Sequence, residues 1–292
     1  MYYVRFLKPP KVATSRSSNS KKLTSLVTIT SDLGDVFFPA RVEVEAYVRP
    51  AGQHGAPYLQ QTSIWETGMR SLPFEFDLTS LYMGQALEVE IRAVGSDAND
   101  VHACSRTAAP YIGPPILSAW SIPFTPALHS AAPREVERRF QLSSGSILSI
   151  AEETGESIAR HVWDAGVILL DSLSRQTGDL PSLQHMIESH ADKLKVIELG
   201  SGCGIVGLGL AQTLPHCSVL LTDLPEAEDI VGSNMARLDA AQASSVEFAV
   251  LDWDAAIPPA IGQTIFDLIV VSDCTYNPGS LVALVRTLTA LV

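Results

Sequence analysis

The sequence has few cysteines, few charged residues and no long uninterrupted apolar segment. The four cysteines form no Cys-x-x-Cys pair and no metal-site spacing, which excludes a disulfide-stapled architecture and predicts reduced thiols in an intracellular protein. The longest apolar run, residues 196–211, contains Glu198, Ser201 and five glycines, so it indicates a tight turn rather than a membrane span. The N-terminus lacks the apolar core and cleavage site of a secretory signal. We therefore expect a cytoplasmic or nuclear protein that does not bind membranes.

Basic residues are scarce in the second half of the chain. Residues 1–150 hold 14 Lys and Arg against 13 Asp and Glu, whereas residues 151–292 hold 6 against 19. This asymmetry predicts two units with different surroundings. The acidic half disfavours nucleic acid because its phosphates would be repelled, and it suits a cationic ligand or a basic protein segment. An acidic surface that only promotes solubility is the alternative.

The apolar fraction of 46% over 292 residues is sufficient for one large core or two smaller ones. Residues 1–22 contain six basic and no acidic residues, which predicts a flexible basic tail able to make at most a weak nucleic-acid contact. Residues 23–120 alternate with a period of two, which predicts a β-rich, sandwich-like domain. Residues 121–139 are rich in proline and predict a linker.

Residues 140–292 alternate helical and buried-strand patterns, which are typical of a parallel sheet covered by helices. Strands are predicted over residues 194–199, 219–223, 246–252 and 265–272. Helices are predicted over residues 167–173, 182–191, 204–214, 226–241 and 279–292. The residues able to do chemistry lie where these strands end.

The first predicted strand runs into a glycine-rich turn with the sequence E-L-G-S-G-C-G at residues 198–204. Glycines allow strained dihedrals and let a ligand approach the backbone closely. From Gly202 onward the turn fits the G-x-G-x-x-G pattern of dinucleotide sites. From Glu198 onward it fits E-x-G-x-G-x-G, which is typical of S-adenosylmethionine sites. A purely structural turn is the third interpretation.

The next two strand ends also carry candidate residues. Asp223, followed by Leu224, ends the second strand, and its carboxylate can accept hydrogen bonds from both ribose hydroxyls of a nucleoside. Asp252 and Trp253 follow the third strand, where an indole can cover an adenine while the carboxylate or backbone reads its amino group. A core tryptophan explains Trp253 equally well.

A D-x-x-Y sequence, from Asp273 to Tyr276, follows Ser272 at the end of the fourth strand, and a W-D-A segment at residues 163–165 precedes an apolar helix. Together with the glycine-rich turn, Asp223 and the tryptophan after the third strand, these stretches resemble, in this order, the seven-strand lysine methyltransferases called methyltransferase family 16. The resemblance covers about residues 140–292. The chain looks similar to fungal members of this family that carry an added N-terminal region.

The resemblance implies a Rossmann-like methyltransferase sheet and a protein-lysine N-methyltransferase that uses S-adenosylmethionine, with a translation factor or chaperone as the protein substrate. It implies that Asp223 holds the ribose, that Trp163 closes the pocket, and that Asp273 and Tyr276 orient the amine as catalytic residues. The cofactor-binding residues it implies are Trp163, Glu198, Gly200, Ser201, Gly202, Gly204, Asp223, Leu224, Asp252, Trp253 and Ser272.

Several alternatives stay open. They are a non-catalytic or truncated nucleoside-binding protein, a methyltransferase of a small amine, and an NAD(P)-dependent oxidoreductase. Only four of the seven family strands are predicted, so the C-terminal strands are expected to be missing and the fourth strand to form an apolar edge. Truncation, a strand from a partner, or cover by the β-rich half would each account for that edge.

Overall fold

The computed structural model of this chain describes residues 1–14, 20–53, 55–81, 84–95, 115–127, 129–153, 158–174, 185, 189, 194–239 and 244–292. Contacts divide the chain into a first unit, Met1–Arg139 with Ala151–Glu156, and a second unit, Phe140–Ile150 with Ser157–Val292. Among the described residues, no helix is both long enough and apolar enough to cross a membrane.

The first unit is built from two β-sheets that share one apolar core, and the end of β9 and the first four residues of β10 are counted with the second unit. The sheets have the strand orders β5-β2-β1-β7 and β10-β9-β8-β6-β3-β4. Alternation places Val4 and Val27 of one sheet and Val44 and Val89 of the other in the common core. The strands are β1 (Tyr2–Thr14), β2 (Lys21–Ser31), β3 (Val42–Pro50), β4 (Leu59–Trp65), β5 (Leu72–Asp77), β6 (Leu87–Ala93), β7 (Ile116–Leu117), β8 (Ala119–Ser121), β9 (Glu135–Gln141) and β10 (Ile147–Glu153).

The prediction of a flexible tail over residues 1–22 is wrong for most of that segment. Tyr2–Thr14 forms β1, which pairs antiparallel with β2 and parallel with β7. Val4, Phe6 and Val12 are buried while Lys8 and Lys11 face solvent. The period-two burial of apolar side chains therefore outweighs the basic composition from which the tail was predicted.

The prediction of a linker over residues 121–139 is wrong at both ends of that range. Ser121 ends β8, and Glu135–Gln141 is β9. Between them, Phe124 forms a β-bridge with Leu87, so this stretch is attached to the sheets despite its prolines. Proline content conceals these strands because a proline is tolerated wherever its missing N–H is not needed.

The second unit contains an all-parallel sheet with the strand order β13-β12-β11-β14. Its strands are β11 (Lys195–Leu199), β12 (Ser218–Asp223), β13 (Ser245–Val250) and β14 (Leu268–Val271). Its helices are α1 (Asp164–Ser174), α2 (Ile205–Thr213), α3 (Glu228–Met235), α4 (Pro259–Gly262) and α5 (Pro278–Leu291), with 3₁₀ turns at Ile158–Arg160 and Pro225–Ala227.

Each strand predicted for residues 140–292 is present, although β14 begins three residues later than predicted and Ile265 is exposed. The predicted helix over residues 182–191 lies outside the described residues, apart from His185 and Ser189. The helix predicted from residue 226 is shorter in the structure, since α3 ends at Met235. Among the described strands, β14 pairs only with β11.

Candidate functional site

The direction in which successive strands are added to the parallel sheet reverses between β11 and β14. From β11 the chain builds β12 and β13 on one side and then returns to place β14 on the other. In open α/β sheets, ligands bind at the carboxyl ends of the strands beside such a switch point. The singled-out stretches from residue 198 onward follow these strand ends, so the fold brings them to one edge of the sheet, whereas the W-D-A segment precedes α1.

The loop after β11, residues 200–204, is called here the glycine loop, and its conformation favours glycine. Gly200, Gly202 and Gly204 have φ angles of +68°, +54° and +79°, in the left-handed region that other residues rarely adopt. Space is also short, because a Cβ on Gly200 would lie 2.5 Å from Cys274 Sγ. A Cβ on Gly202 would lie 3.1 Å from the carbonyl oxygen of Ala159.

Glu198 is enclosed by the protein and links β11 to α2. Its Oε2 accepts a hydrogen bond of 2.8 Å from the N–H of Gly207, an amide in the first turn of α2 that has no partner within the helix. Burial raises the pKa of Glu198 to about 8, and the Asp223 carboxylate adds to the rise while the Gly207 amide opposes it. The Glu198 carboxylate thus supports the glycine loop from within the fold.

Asp223 connects the end of β12 to the glycine loop. One carboxylate oxygen accepts a hydrogen bond of 2.7 Å from the N–H of Gly202, and the other accepts one of 2.7 Å from the N–H of Leu224. Burial raises the pKa of Asp223, whereas these two amides lower it. Because a carboxylate has about four acceptor positions, it can hold both amides and still accept hydroxyl groups.

Three buried polar atoms at this edge of the sheet have no hydrogen-bond partner among the described residues: Ser201 Oγ, Trp253 Nε1 and Ser272 Oγ. Buried polar groups in native proteins are nearly always hydrogen-bonded, so unpaired ones call for an explanation such as an unfilled ligand site. The Trp253 ring borders the glycine loop, since a Cβ on Gly200 would lie 3.3 Å from its Cζ2. An indole N–H and two hydroxyl groups are therefore available to form hydrogen bonds with a polar, partly aromatic ligand.

The D-x-x-Y segment lies on the surface after β14. Asp273 is exposed and has a φ of +55°, which is uncommon outside glycine. Tyr276 is 66% exposed. Cys274 between them is buried, with its Sγ 3.1 Å from the carbonyl oxygen of Ser272 and 3.4 Å from that of Leu199. Burial, reinforced by nearby carboxylates, raises the pKa of the Cys274 thiol to about 12, so it stays protonated.

The remaining predicted residues are more peripheral. Asp252 is exposed, and its Oδ1 accepts a hydrogen bond of 2.9 Å from the N–H of Asp254. Trp163 is half-buried, and its Nε1 donates a hydrogen bond of 3.1 Å to the carbonyl oxygen of Ile158. The structure therefore engages the Trp163 indole N–H with the preceding turn.

The sequence analysis gave no role in the site to three residues that shape it: Gly166, Gly207 and Cys274. A Cβ on Gly207 would overlap Leu221 and lie 2.7 Å from Glu198 Oε2. A Cβ on Gly166 would lie 3.0 Å from Ile205 Cγ2. The signal available for Gly207 was its position within a helical pattern. Glycine is unfavourable inside a helix unless packing or function requires it.

The comparisons of this chain with known proteins agree on one protein family. The profile described as lysine methyltransferase matches residues 142–292. A UPF0665 family protein of Schizosaccharomyces pombe is 30% identical over 285 residues, covering 96% of this chain and 81% of that protein. The EEF1A lysine methyltransferase 3 of Mus musculus is 30% identical over 146 residues, covering 49% of this chain and 56% of that protein.

The protein-lysine N-methyltransferase rrg1 of Schizosaccharomyces pombe is also 30% identical, over 156 residues that cover 50% of this chain and 47% of that protein. The chain thus spans about half the length of the two relatives named as lysine methyltransferases. The similarity to the UPF0665 protein extends over both units.

Proposed function

We propose that this chain, which belongs to the lysine methyltransferase family, transfers a methyl group from S-adenosylmethionine to a protein nitrogen, and that this nitrogen is a lysine amine. The observation that carries the proposal is the link between Asp223 and Gly202 at the carboxyl ends of β11 and β12. It places a carboxylate with spare acceptor capacity beside a loop whose backbone a ligand can approach.

The residues present fit this cofactor. Asp223 can accept the ribose hydroxyls, and the Trp253 ring can lie against the adenine. The unpaired Ser201 Oγ, Trp253 Nε1 and Ser272 Oγ supply hydrogen-bonding groups at the same edge. We also propose that β11, β12 and β13 correspond to the cofactor-binding half of the seven-strand sheet of the family, and that β14 corresponds to its fourth strand.

Bound S-adenosylmethionine would supply an electrophilic methyl group on its sulfonium. The chain has to hold an acceptor amine, in its neutral form, in line with that group. Asp273 and Tyr276 are exposed after β14, where their oxygens can orient an incoming amine by accepting hydrogen bonds from it, and the Asp273 carboxylate can act as the base that takes up the proton the amine loses. Positioning of this kind can contribute about 7–11 kcal/mol by making a bimolecular step effectively unimolecular.

Calorimetry tests the cofactor. We expect the protein to bind S-adenosylmethionine and S-adenosylhomocysteine and not NAD. Replacing Asp223 with Ala should weaken binding by about 1.5–3 kcal/mol, as expected for hydrogen bonds to a charged group. Glu247, an exposed carboxylate in the middle of β13, is the matched control, and Glu247→Ala should bind normally. Binding of NAD alone would contradict the proposal.

The acceptor is tested separately with radiolabelled S-adenosylmethionine and a cell lysate, followed by mass spectrometry of the labelled band. We expect the label on a lysine side chain of a protein. Label on a small amine only would favour the small-amine alternative, and label on another protein nitrogen would correct the acceptor.

A further inference from the structure

A turn follows β13 at residues 252–255, called here the tryptophan loop because it carries Trp253. The side chain of Asp252 accepts a hydrogen bond of 2.9 Å from the N–H of Asp254, and its carbonyl oxygen accepts one of 3.0 Å from the N–H of Ala255. Both bonds lie within the loop. They shape the turn without attaching it to another element.

One long side chain of α5 attaches the tryptophan loop to that helix. Arg286 Nη2 donates a hydrogen bond of 2.7 Å to the carbonyl oxygen of Trp253, across 33 positions of the sequence. The same nitrogen lies 3.8 Å from Asp254 Oδ1, in an ion pair whose side chains are 61% and 82% exposed, and exposed pairs of this kind contribute little. Arg286 therefore acts on the backbone of the residue whose indole borders the glycine loop.

The helix that carries Arg286 is itself fixed at its beginning and along one face. Asn277 caps its N-terminus, with Oδ1 accepting a hydrogen bond of 3.0 Å from the N–H of Gly279. The buried Leu284 of α5 belongs to the apolar cluster against which Trp253 packs. Because Asn277 directly follows Tyr276, the helix that holds the tryptophan loop begins where the D-x-x-Y segment ends.

We propose that Arg286 is a positioning residue that keeps the Trp253 indole at the glycine loop, where the ring can contact the adenine of the cofactor. This rests on the proposed function. The carbonyl group that Arg286 holds and the indole belong to the same residue, so a shift of the loop moves the ring with it. The ring lies close to the glycine loop, since its Cζ2 is 3.3 Å from the position of a Cβ on Gly200. A small shift of the tryptophan loop therefore changes how the ring meets a ligand there.

Arg286→Met tests this role, because methionine keeps an unbranched side chain and removes every donor. Calorimetry of the full chain should show a dissociation constant for S-adenosylhomocysteine that is about two- to tenfold higher, the factor equivalent to one hydrogen bond. The matched control is Asp254→Ala, which removes the other group near the guanidinium but leaves the bond to Trp253, and it should bind as the wild type does. Unchanged affinity in Arg286→Met would overturn the proposal.

A double-mutant cycle shows whether Arg286 acts through the indole. In a Trp253→Ala background there is no ring to position, so adding Arg286→Met should weaken binding of S-adenosylhomocysteine no further. A purely structural role would instead make Arg286→Met weaken binding by the same factor in both backgrounds. That result would overturn the proposal.

Hydrogen exchange gives a test that does not depend on the Trp253 variant folding. Without ligand, the amides of Asp254 and Ala255 should exchange faster in Arg286→Met than in the wild type, because the loop is no longer held on α5. The amide of Leu208 in α2, bonded to the Gly204 carbonyl oxygen over 2.9 Å, should exchange equally in both proteins. Equal exchange at residues 254 and 255 would overturn the role of the bond. Failure of the wild type to bind S-adenosylhomocysteine would instead overturn the proposed function.

Discussion

At the scale of single residues, the two carboxyl groups beside the glycine loop, those of Glu198 and Asp223, have different surroundings. Glu198 is enclosed and accepts from one backbone amide, whereas Asp223 is half-buried and accepts from two. Burial raises the pKa of both carboxyl groups, and for Glu198 it reaches about 8. Glu198 is therefore mostly protonated at neutral pH.

Glu198 should make the stability of the second unit depend on pH. Its pKa lies near 8 in the folded state and near 4.5 when unfolded, so the folded state holds the proton more tightly. Its contribution to the free energy of unfolding is therefore complete below about pH 4.5 and is lost as the pH rises through about 8. Each unit of pKa difference is equivalent to about 1.4 kcal/mol.

Urea unfolding at pH 5, 7 and 9 measures this effect against Glu198→Gln, which keeps an acceptor for the Gly207 amide but cannot ionise. We expect the wild type to lose more stability than the variant between pH 5 and 9. Equal losses in both proteins would show that Glu198 does not titrate in this range.

Asp273 should matter for methyl transfer and not for cofactor binding. Asp273→Ala should lower the rate by about 10² or more, the lower bound for a residue that assists proton transfer, with cofactor affinity unchanged. Tyr276→Phe tests the hydroxyl alone and should cost less. The control is Asp254→Ala, which removes an exposed carboxylate that follows β13 at the same edge. Normal turnover in Asp273→Ala would remove this segment from the acceptor site.

Candidate positions could be predicted from the sequence, but their contacts could not. The order of glycines, acids and aromatic residues pointed to Asp223 and the glycine loop. The placement of Cys274 beneath Gly200 depends on residues 74 apart, which only the pairing of β11 with β14 brings together. The bond from Trp163 to Ile158 lies in a turn without regular periodicity, so no pattern in the sequence indicated it.

At the scale of secondary-structure elements, α2 and α3 each contain a glycine, and the two positions differ in whether a Cβ would fit. Gly207 of α2 has no room for a Cβ, because Leu221, Glu198 and Val219 surround it. Gly232 of α3 is exposed and has nothing within 4 Å of that position. Their substitution by alanine therefore forms a matched pair.

Gly232→Ala should stabilise the protein by about 0.5–1 kcal/mol, because alanine is the better helix former. Gly207→Ala should destabilise it by about 1–3 kcal/mol, because the added methyl group overpacks the junction of α2 with the sheet. Thermal or chemical unfolding measures both. Stabilisation by Gly207→Ala would mean that the junction relaxes without cost.

The secondary-structure elements differ in how readily they can be predicted from the sequence. β11 and β12 were predicted because a buried parallel strand is a short apolar run followed by a turn signal. β1 was not, because its basic and proline residues dominate the composition although Val4 and Phe6 alternate into the core. Alternation is thus the more reliable guide in this segment.

At the scale of the whole molecule, we expect the charge asymmetry between the halves of the chain to influence which protein substrate is bound. Residues 151–292 hold 19 acidic against 6 basic residues. If the proposed substrate is a basic protein segment, this charge should attract it, and dissolved salt should screen that attraction. Raising NaCl from about 50 to 500 mM should increase the KM for a lysine-rich protein substrate severalfold while kcat changes little.

The KM for S-adenosylmethionine is the internal control for that experiment, since short-range hydrogen bonds depend little on ionic strength. A salt effect confined to kcat, or equal effects on both KM values, would contradict electrostatic attraction of the substrate.

The switch point also determines the order in which the site is assembled during synthesis. β11 and β12 pair across a short interval, as in Val196 with Val219, whereas β11 and β14 pair across a long one, as in Val196 with Leu268. Pairs that are near in sequence close with the smaller loss of chain entropy and leave the ribosome first. The link from Asp223 to Gly202 can therefore form on the nascent chain before Asp273 and Tyr276 have been translated. During the synthesis of each molecule, the residues proposed to bind the cofactor would then come together before those proposed to bind the acceptor.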